Sequence, residues 1–476
     1  MKVLENMPVV AGLMMLGWLT LTEGIGSVCV FVGMVLGALI MGIAVWREWP
    51  FGAVSTLIVS SAMPRLAGTV FSLHVRPEHV AIAYIFIVVL FRRIRWNHSY
   101  VHRRVFDYAL VAYVTINFLS SAVTSPQPML TLRWAIMSAI VVGAYFLIRL
   151  LIRDERSLHY AFIVLLWTGA VESAFGLVCF LSNRTFGSTF GVSAEQYGYI
   201  PGTHGTQYEA NIFGAYSACC AIMFLVVYLL DHESRRSWHA CGLALTTAGT
   251  LVSLSRAAIV ALLLASVFVV WTIFRRRQLK IRRLFAFGLV GGVILMATSS
   301  FLLPFLEERF STIDVSELAA DSTTQTRLVQ IVAAYDDVRA HPLWGTGTDS
   351  FRLMFDWRDY MPNGVGADDD TSGWIGSAPI RILHDTGVVG LLTFLTFLGS
   401  LGLATRKALR NATGFNRVLG FALVASLLVY CVTFQSTDAT LLAFPWVHLG
   451  MLAAALNIFD AKGIVNNAGQ VLPGIP

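Results

Sequence analysis

Apolar runs recur along almost the whole chain, and they predict its architecture. Many extend over roughly 17 to 23 residues, which is long enough for an α-helix to cross the hydrocarbon core of a bilayer. Others are shorter but belong to the same series. Hydropathy divides the chain into about 14 candidate membrane spans, at residues 8–22, 25–45, 51–64, 79–91, 106–122, 131–148, 160–182, 208–230, 238–254, 256–274, 284–304, 388–404, 418–434 and 440–459.

One long polar stretch interrupts this series. Residues 305–385 hold 14 of the 28 acidic residues but only 6 of the 34 lysines and arginines. We therefore expect three regions: transmembrane helices 1–11 over residues 1–304, a large loop over residues 305–386, and C-terminal transmembrane helices over residues 387–476. The expected fold class is all-α, a polytopic membrane protein with about 12–14 transmembrane helices.

The composition agrees with a membrane protein and narrows its chemistry. Hydrophobic residues make up 56% of the chain and charged residues only 13%, whereas charge is near a quarter in soluble domains. All six cysteines lie in apolar runs, so they predict neither a disulfide framework nor a metal site. The chain has no P-loop and no Rossmann glycine motif. We expect no cofactor, no metal, and a substrate that is already activated in the membrane.

Basic residues are divided unevenly between alternate loops. One set of loops, with the termini, holds 23 of the 34 lysines and arginines, and the other set holds 11. Because short loops rich in positive charge stay in the cytoplasm, both termini are predicted inside and the long acidic loop outside. The pI near 9.0 is then a signal of orientation, and no nucleic-acid partner is expected.

The basic residues predicted on the outer side are all arginine: Arg65, Arg76, Arg133, Arg184, Arg256, Arg309, Arg327, Arg339, Arg352, Arg358 and Arg381. A guanidinium matches phosphate oxygens in shape and keeps its charge when it is partly buried. As a set, these arginines indicate an anionic ligand at the outer membrane face. For a single loop arginine, an ion pair with a loop carboxylate is the competing interpretation.

Arg256 differs from the others because it lies between two apolar spans with almost no loop. A charge at the membrane interface is costly unless it has a partner. The position predicts a guanidinium beside the free N–H groups of a helix start, which together would clamp a phosphate. A structural arginine that reaches toward the interface is the alternative.

Four motifs occur in an order that is typical of one family. SLSRAA at residues 253–258 opens an apolar helix, and GTHGTQYEANIFG at residues 202–214 leads into the helix before it. RLVQIVAAYDDVRAHPLWGTG at residues 327–347 and GVVGLL at residues 387–392 lie in the loop and at the start of the next span. Together these motifs resemble the O-antigen ligase and polymerase superfamily of membrane glycosyltransferases.

This resemblance implies a fold similar to the GT-C glycosyltransferases and a large periplasmic loop. It also implies a glycan donor carried on polyprenyl pyrophosphate at the outer face of the bacterial inner membrane. In that family, the arginine of the Ser-Arg motif and the arginine that opens the loop helix are thought to engage the pyrophosphate. The matching residues here are Arg256 and Arg327. Fixed guanidinium groups would stabilise the charge that develops on the leaving group.

The sequence departs from the ligase pattern at one position. Ligases of this family usually carry a histidine about eleven residues before the glycine pair, and the residue here is Gly376. The nearest histidine is His384. The departure favours a polymerase or a related exopolysaccharide enzyme over a ligase that acts on lipid A-core.

Several residues remain as candidates for the general base and for substrate binding. His384 and Glu209 are the candidate bases; alternatively, His384 caps or packs a helix, and Glu209 caps a helix together with Asn211. Glu172, in the middle of an apolar run, is expected to be functional or paired. The candidate substrate-binding residues are Arg381, Arg339, Arg76, Asn211 and Trp374. Asp368, Asp369 and Asp370 are interpreted as solvated surface rather than as ligands of a divalent ion.

The sequence therefore predicts an inner-membrane glycosyltransferase, independent of metal, that polymerises O-antigen or exopolysaccharide repeat units. The alternative within the family is a ligase that transfers the glycan to lipid A-core or to a protein. A transporter of lipid-linked sugars is the rival from another class, and a non-catalytic assembly subunit is a third. The expected partners are the lipid-linked donor, a glycan or lipid A-core acceptor, membrane lipid, and proteins of polysaccharide export and chain-length control.

Overall fold

The computed structural model describes residues 40, 42–65, 68–70, 73–91, 103–193, 202–230, 236–275, 322–356 and 373–468. Its helices are α1 Phe51–Ser61, α2 Pro77–Phe91, α3 Val105–Val123, α4 Pro128–Leu151, α5 Glu155–Phe186, α6 Ala210–Leu230, α7 Arg236–Val252, α8 Arg256–Arg275, α9 Ser322–Ala340, α10 Phe351–Met354, α11 Ala378–Asn411, α12 Gly414–Thr433 and α13 Ala443–Ala468. Residues 42–47 are also helical. Within these ranges the strands are β1 Gly68–Val70 and β2 Leu73–Val75, an antiparallel hairpin with Thr69 opposite His74.

The prediction of an all-α polytopic membrane protein is confirmed. Eight helices in the described ranges are long and apolar enough to cross a membrane: α3, α4, α5, α6, α8, α11, α12, and α13 over Ala443–Asp460. The shorter apolar helices α1 and α2 fall on two further predicted spans. The predicted spans at residues 8–22 and 284–304, and most of that at residues 25–45, lie outside the described residues.

Local sequence signals explain where individual helices begin and end. The Asp154 carboxylate accepts a hydrogen bond from the Ser157 backbone N–H at 2.7 Å, which caps the first turn of α5. At its other end, Gly187 adopts a left-handed conformation with φ 68°, which stops the helix. A proline begins α4, where the missing N–H has no helical partner to lose.

Helix α6 lies in the middle of the bundle, in contact with α5, α7, α8 and α12. Small residues allow this close packing: a side chain at Gly176 would meet the Phe213 ring, and one at Gly214 would meet Ser253. Membrane helices commonly pack through small residues, because lipid gives no hydrophobic force between them. The close contacts fix α6 against α5 and against the turn before α8.

Polar contacts mark the two ends of the bundle. At one end, which we call the basic end, Arg104 pairs with Asp460 at 2.6 Å and the Asn416 amide donates to Glu155 at 2.5 Å. Arg149 pairs there with a buried aspartate at the start of α3. The connections between α4 and α5 and between α11 and α12 lie at this end, with Arg149, Arg153, Arg156, Arg410 and Arg417 in or beside them.

The opposite end, which we call the loop end, carries the polar segment (residues 322–356 and 373–386). Its turn at residues 345–350 is buried against α3 and α11, where the Thr346 and Gly347 N–H groups donate to the carbonyls of His384 and Asp385, each at 3.0 Å. Helix α11 begins inside the polar segment and has one non-helical residue, Gly387, with φ 65°. The predicted start of the next span, at residue 388, therefore coincides with a break in a longer helix.

Candidate functional site

Four chain segments converge at the loop end around Glu209, which directly precedes α6. The Thr437 hydroxyl donates a hydrogen bond to its carboxylate at 2.6 Å. Arg327, in α9, lies close enough for its positive charge to lower the pKa of Glu209. The Arg327 Nε atom is also 3.8 Å from the position that a Cβ atom would take at Gly376. The structure thus brings together a carboxylate, a guanidinium and a glycine from distant parts of the sequence.

Burial has the largest effect on the pKa of Glu209. Removal of water raises the pKa of this carboxyl group above its usual value, and the charge of Asp438 raises it further. The hydrogen bond from Thr437 and the charge of Arg327 act in the opposite direction, and burial prevails. A carboxylate with a raised pKa is a stronger base than one in water, so the group is suited to accept a proton.

Arg256 begins α8 beside a tightly built turn. The Ser255 hydroxyl accepts a hydrogen bond from the Ala258 N–H at 3.3 Å, which makes Ser255 the N-cap of the helix. Leu254 has φ 54°, in the left-handed region. Arg256 is half-buried at the loop end, in the first turn of α8.

The segment that carries Glu209 packs directly on this turn. The Thr203 N–H donates to the carbonyl of Val252 at 3.3 Å, and a Cβ atom at Gly202 would lie 2.9 Å from the Ser253 carbonyl oxygen. The motifs at residues 202–214 and 253–258 are therefore one structural unit, and Gly202 permits the close approach.

Glu172 anchors the same segment from inside the bundle. Its two carboxylate oxygens accept hydrogen bonds from the N–H and the hydroxyl of Thr206, each at 2.8 Å. A side chain at Gly205 would collide with this carboxylate, at 2.5 Å. Glu172 is thus paired, as expected for an ionisable group in a span, and it holds the loop that leads to Glu209.

Arg381 is buried in a cluster of three carboxylates. It pairs with Asp438, with Asp385 at 3.3 Å and with Asp349 at 3.6 Å. Its guanidinium also lies 5.7 Å from the centre of the half-buried Trp374 ring. Arg381 therefore connects α11 with the turn that carries Asp349 and with the connection that carries Asp438.

Three carboxylates surround the single guanidinium of Arg381, and this excess of negative charge affects the pKa of Asp349. Burial raises the pKa of Asp349 to about 6, and neighbouring Asp385 and Asp438 add to the effect. Arg381 opposes it without cancelling it. Asp349 therefore binds a proton more readily than an aspartate in water does.

His384 is fully buried between two carboxylates. Its Nε2 atom is 3.1 Å from Asp337 and its Nδ1 atom is 3.0 Å from Asp385. The edge of the ring packs against Phe351 with a centroid separation of 5.4 Å. Both nitrogens are occupied, so His384 links α9 to α11, as in its packing interpretation.

Of the other candidate arginines, Arg76 lies near Glu209 and Arg339 lies far along α9. Arg76 donates to the carbonyl of Leu441 at 2.7 Å, and its guanidinium is 5.9 Å from the centre of the Tyr208 ring, next to Glu209. Arg339 is exposed in the last turn of α9 and lies 4.5 Å from the Tyr335 ring. It is about 18 Å along the helix axis from Arg327, so the structure does not bring these two together.

Asn211 is half-buried in the first turn of α6, two residues after Glu209.

The residues that sequence reasoning missed are Thr437, Asp438 and Asp349. Asp438 is a lone acid between two apolar runs, which is the same signal that singled out Arg256. Among the described residues no His, Cys, Asp and Glu side chains are grouped as a metal site. The three aspartates at residues 368–370 lie outside the described part of the chain.

Comparison with known families gives one match. Residues 241–395, about a third of the chain, match the family model described as O-antigen ligase. This range includes Arg256, Arg327, Gly376 and His384, and it ends before Asp438. No curated protein sequence matches the chain.

Proposed function

We propose that this chain, a multi-pass membrane protein whose residues 241–395 match the O-antigen ligase family, joins glycan repeat units carried on polyprenyl pyrophosphate. The observation that carries the proposal is the convergence of Glu209, Arg327 and Gly376 at the loop end. A base and a cation that can hold phosphate are what such a transfer needs. In this proposal the loop end faces the periplasm, and the membrane is the bacterial inner membrane.

The two arginines would act on the leaving group. Arg327 and Arg256 hold the donor pyrophosphate, and their fixed charges stabilise the negative charge that develops when the bond between the sugar and the phosphate breaks. Each charge-assisted contact of this kind contributes about 1.5–3 kcal/mol. Arg381, whose charge is engaged by three carboxylates, keeps the polar segment in place.

Glu209 would be the general base. It removes the proton of an acceptor hydroxyl, whose oxygen attacks the anomeric carbon as the polyprenyl pyrophosphate departs with the electron pair of the broken bond. Its raised pKa and its position near Arg327 support this role. His384 is less suited, since both of its nitrogens already face carboxylates.

Gly376 supports a polymerase over a ligase. A Cβ atom there would make only ordinary contacts, at 3.8 Å, with Arg327 and with the carbonyl oxygen of Ser436. A Cβ atom therefore fits beside the arginine, at the position where family ligases usually carry a histidine. The match to a family described as O-antigen ligase keeps transfer to lipid A-core, or to a protein, as the second candidate.

The test is an assay of the purified protein with polyprenyl-pyrophosphate glycan, with and without lipid A-core. A ladder of multiples from the donor alone supports the polymerase, and product that forms only with lipid A-core supports the ligase. Arg327→Lys is expected to lower the rate about 10- to 100-fold, the equivalent of one charge-assisted contact. Arg339→Lys, in the same helix, is the matched control and should stay within about twofold. Equal activity in both variants would exclude the proposed site.

A further inference from the structure

Helix α9 carries an exposed apolar stripe. Leu328, Val332 and Tyr335 are each 53% exposed, and Ile331 is 38% exposed. Their spacing of three and four residues places them on one face of the helix. A helix that faces water normally presents polar residues there.

The stripe is not the face by which α9 packs on the protein. Ala333 and Ala334 are buried with Phe351 and Ile375 in a small hydrophobic cluster. Asp337, on the same side as these alanines, contacts His384 at 3.1 Å. Helix α9 is therefore already docked through its opposite face, and the stripe is a second apolar surface.

This surface adjoins the exposed apolar surface of a membrane helix. After α9 the chain turns, and the Val388 N–H donates to the Pro342 carbonyl at 2.9 Å, where the apolar part of α11 begins. Leu343 and Trp344, in this turn, are 59% and 44% exposed. Leu392, one turn further along α11, is 57% exposed on a helix that is apolar enough to span a membrane.

We infer that α9 lies in the membrane interface, with its stripe inserted into the headgroup and acyl-chain boundary of the bilayer. The occupant of the stripe is lipid, because the turn that follows α9 exposes Leu343 and Trp344 and meets α11 where the exposed, apolar part of this candidate membrane helix begins. The side chains at its edges, Tyr335, Trp344 and Arg339, are of the types that anchor proteins at this depth.

The inference does not rest on the proposed reaction. It adds a role for the bilayer in placing Arg327, which lies about a quarter turn from the stripe at 100° per residue. An interfacial α9 would hold this guanidinium at the level of lipid phosphates. A donor that remains in the membrane would then meet Arg327 without leaving the headgroup layer.

The test measures which reagents reach the stripe in lipid. Spin labels are attached to Leu328→Cys and Val332→Cys in a variant without other cysteines, reconstituted in vesicles of phosphatidylethanolamine and phosphatidylglycerol. Collision rates with oxygen, which concentrates in lipid, are compared with those of a water-soluble nickel chelate. Leu392→Cys calibrates lipid exposure, and Arg352→Cys, at an exposed residue of the polar segment, calibrates water exposure.

The stripe labels are expected to resemble Leu392→Cys, with oxygen collisions several-fold above those of the chelate. A pattern like that of Arg352→Cys would overturn the inference, because the stripe would face water. Protection from both reagents would also overturn it, since protein would then cover the stripe. Glycan transfer is not part of this readout, so an inactive protein can still pass or fail the test.

Discussion

The Arg381 cluster shows how one buried residue can hold several chain segments together. Three carboxylates surround a single buried guanidinium, so the cluster carries an excess of negative charge when all are ionised. Asp438 is fully buried, and it also accepts a hydrogen bond from the Thr440 N–H at 2.8 Å. Asp349 is the member with the raised pKa. The two acids should therefore respond differently to neutralisation.

Asp438→Asn is expected to destabilise the protein by about 3–5 kcal/mol, because it removes one partner of a buried ion pair. Asp349→Asn should not destabilise the protein at neutral pH, since two carboxylates still face Arg381 and asparagine accepts the left-handed backbone at this position, where φ is 59°. Thermal unfolding in detergent measures both. Equal losses would contradict the unequal roles assigned to the two acids.

The raised pKa of Asp349 also predicts a dependence of stability on pH. The folded state binds the proton more tightly than the unfolded state, so stability falls as pH rises from about 4 toward the folded pKa of about 6 and is level above it. Asp349→Asn should remove this decrease. Melting curves at closely spaced pH values, with Arg339→Gln in the last turn of α9 as an exposed control, measure the difference.

Glu209 predicts a specific form for the pH profile of glycan transfer. The base must be deprotonated, so the rate should rise with pH through the raised pKa of Glu209 and then level off. Glu209→Gln should lower the rate by about 10²- to 10⁴-fold and remove this rise. Thr437→Val deletes the hydrogen bond that stabilises the charged carboxylate, so the rise should move to higher pH. A profile that Thr437→Val leaves in place would count against Glu209 as the base.

At the scale of elements, the critical feature is the junction between the polar segment and α11. Gly387 has φ 65°, and a Cβ atom there would lie 2.3 Å from the backbone of Leu343. The break in the helix and the docking of the turn thus depend on the same glycine. Sequence patterns predicted a helix start at this point and missed the helical turns before it, because Arg381, His384 and Asp385 have the polarity of a loop.

Gly387→Ala should disrupt this junction, lowering the melting temperature and reducing glycan transfer. Gly399→Ala is the matched control within α11, where no atom lies within 4 Å of an added Cβ. That change should be neutral or stabilise the protein by up to about 1 kcal/mol, since alanine favours a helix over glycine. Similar melting temperatures for the two variants would show that the junction tolerates a side chain.

At the scale of the whole molecule, most of the architecture could be predicted from the sequence, but little of the arrangement of the site could. Apolar runs predict spans because lipid requires every backbone group to be paired within a helix. The SLSRAA motif predicted Arg256 at a helix start, because such a start depends on residues that are neighbours in the sequence. The pairing of Arg381 with Asp438, however, joins residues 57 positions apart, and no periodicity in the sequence encodes such a contact.

The orientation of the whole molecule also remains a prediction, and cysteine labelling tests it. A thiol at Arg352→Cys, exposed in the polar segment, should react with a membrane-impermeant maleimide in cells whose outer membrane alone is permeable. A thiol at Lys407→Cys, exposed in α11 near the basic end, should react only after the inner membrane is opened. The reverse order would place the site in the cytoplasm and exclude a periplasmic transfer.

The buried pair of Arg381 and Asp438 has a consequence for how such genes can recombine. The arginine belongs to the polar segment, whereas its partner belongs to the connection between α12 and α13. Suppose that a crossover exchanged the polar segment alone and that the incoming segment lacked the arginine. The bundle would then contain a buried acid without its partner. An exchange of the polar segment between related chains should therefore carry the connection at residues 434–442 along with it, as a single unit of exchange.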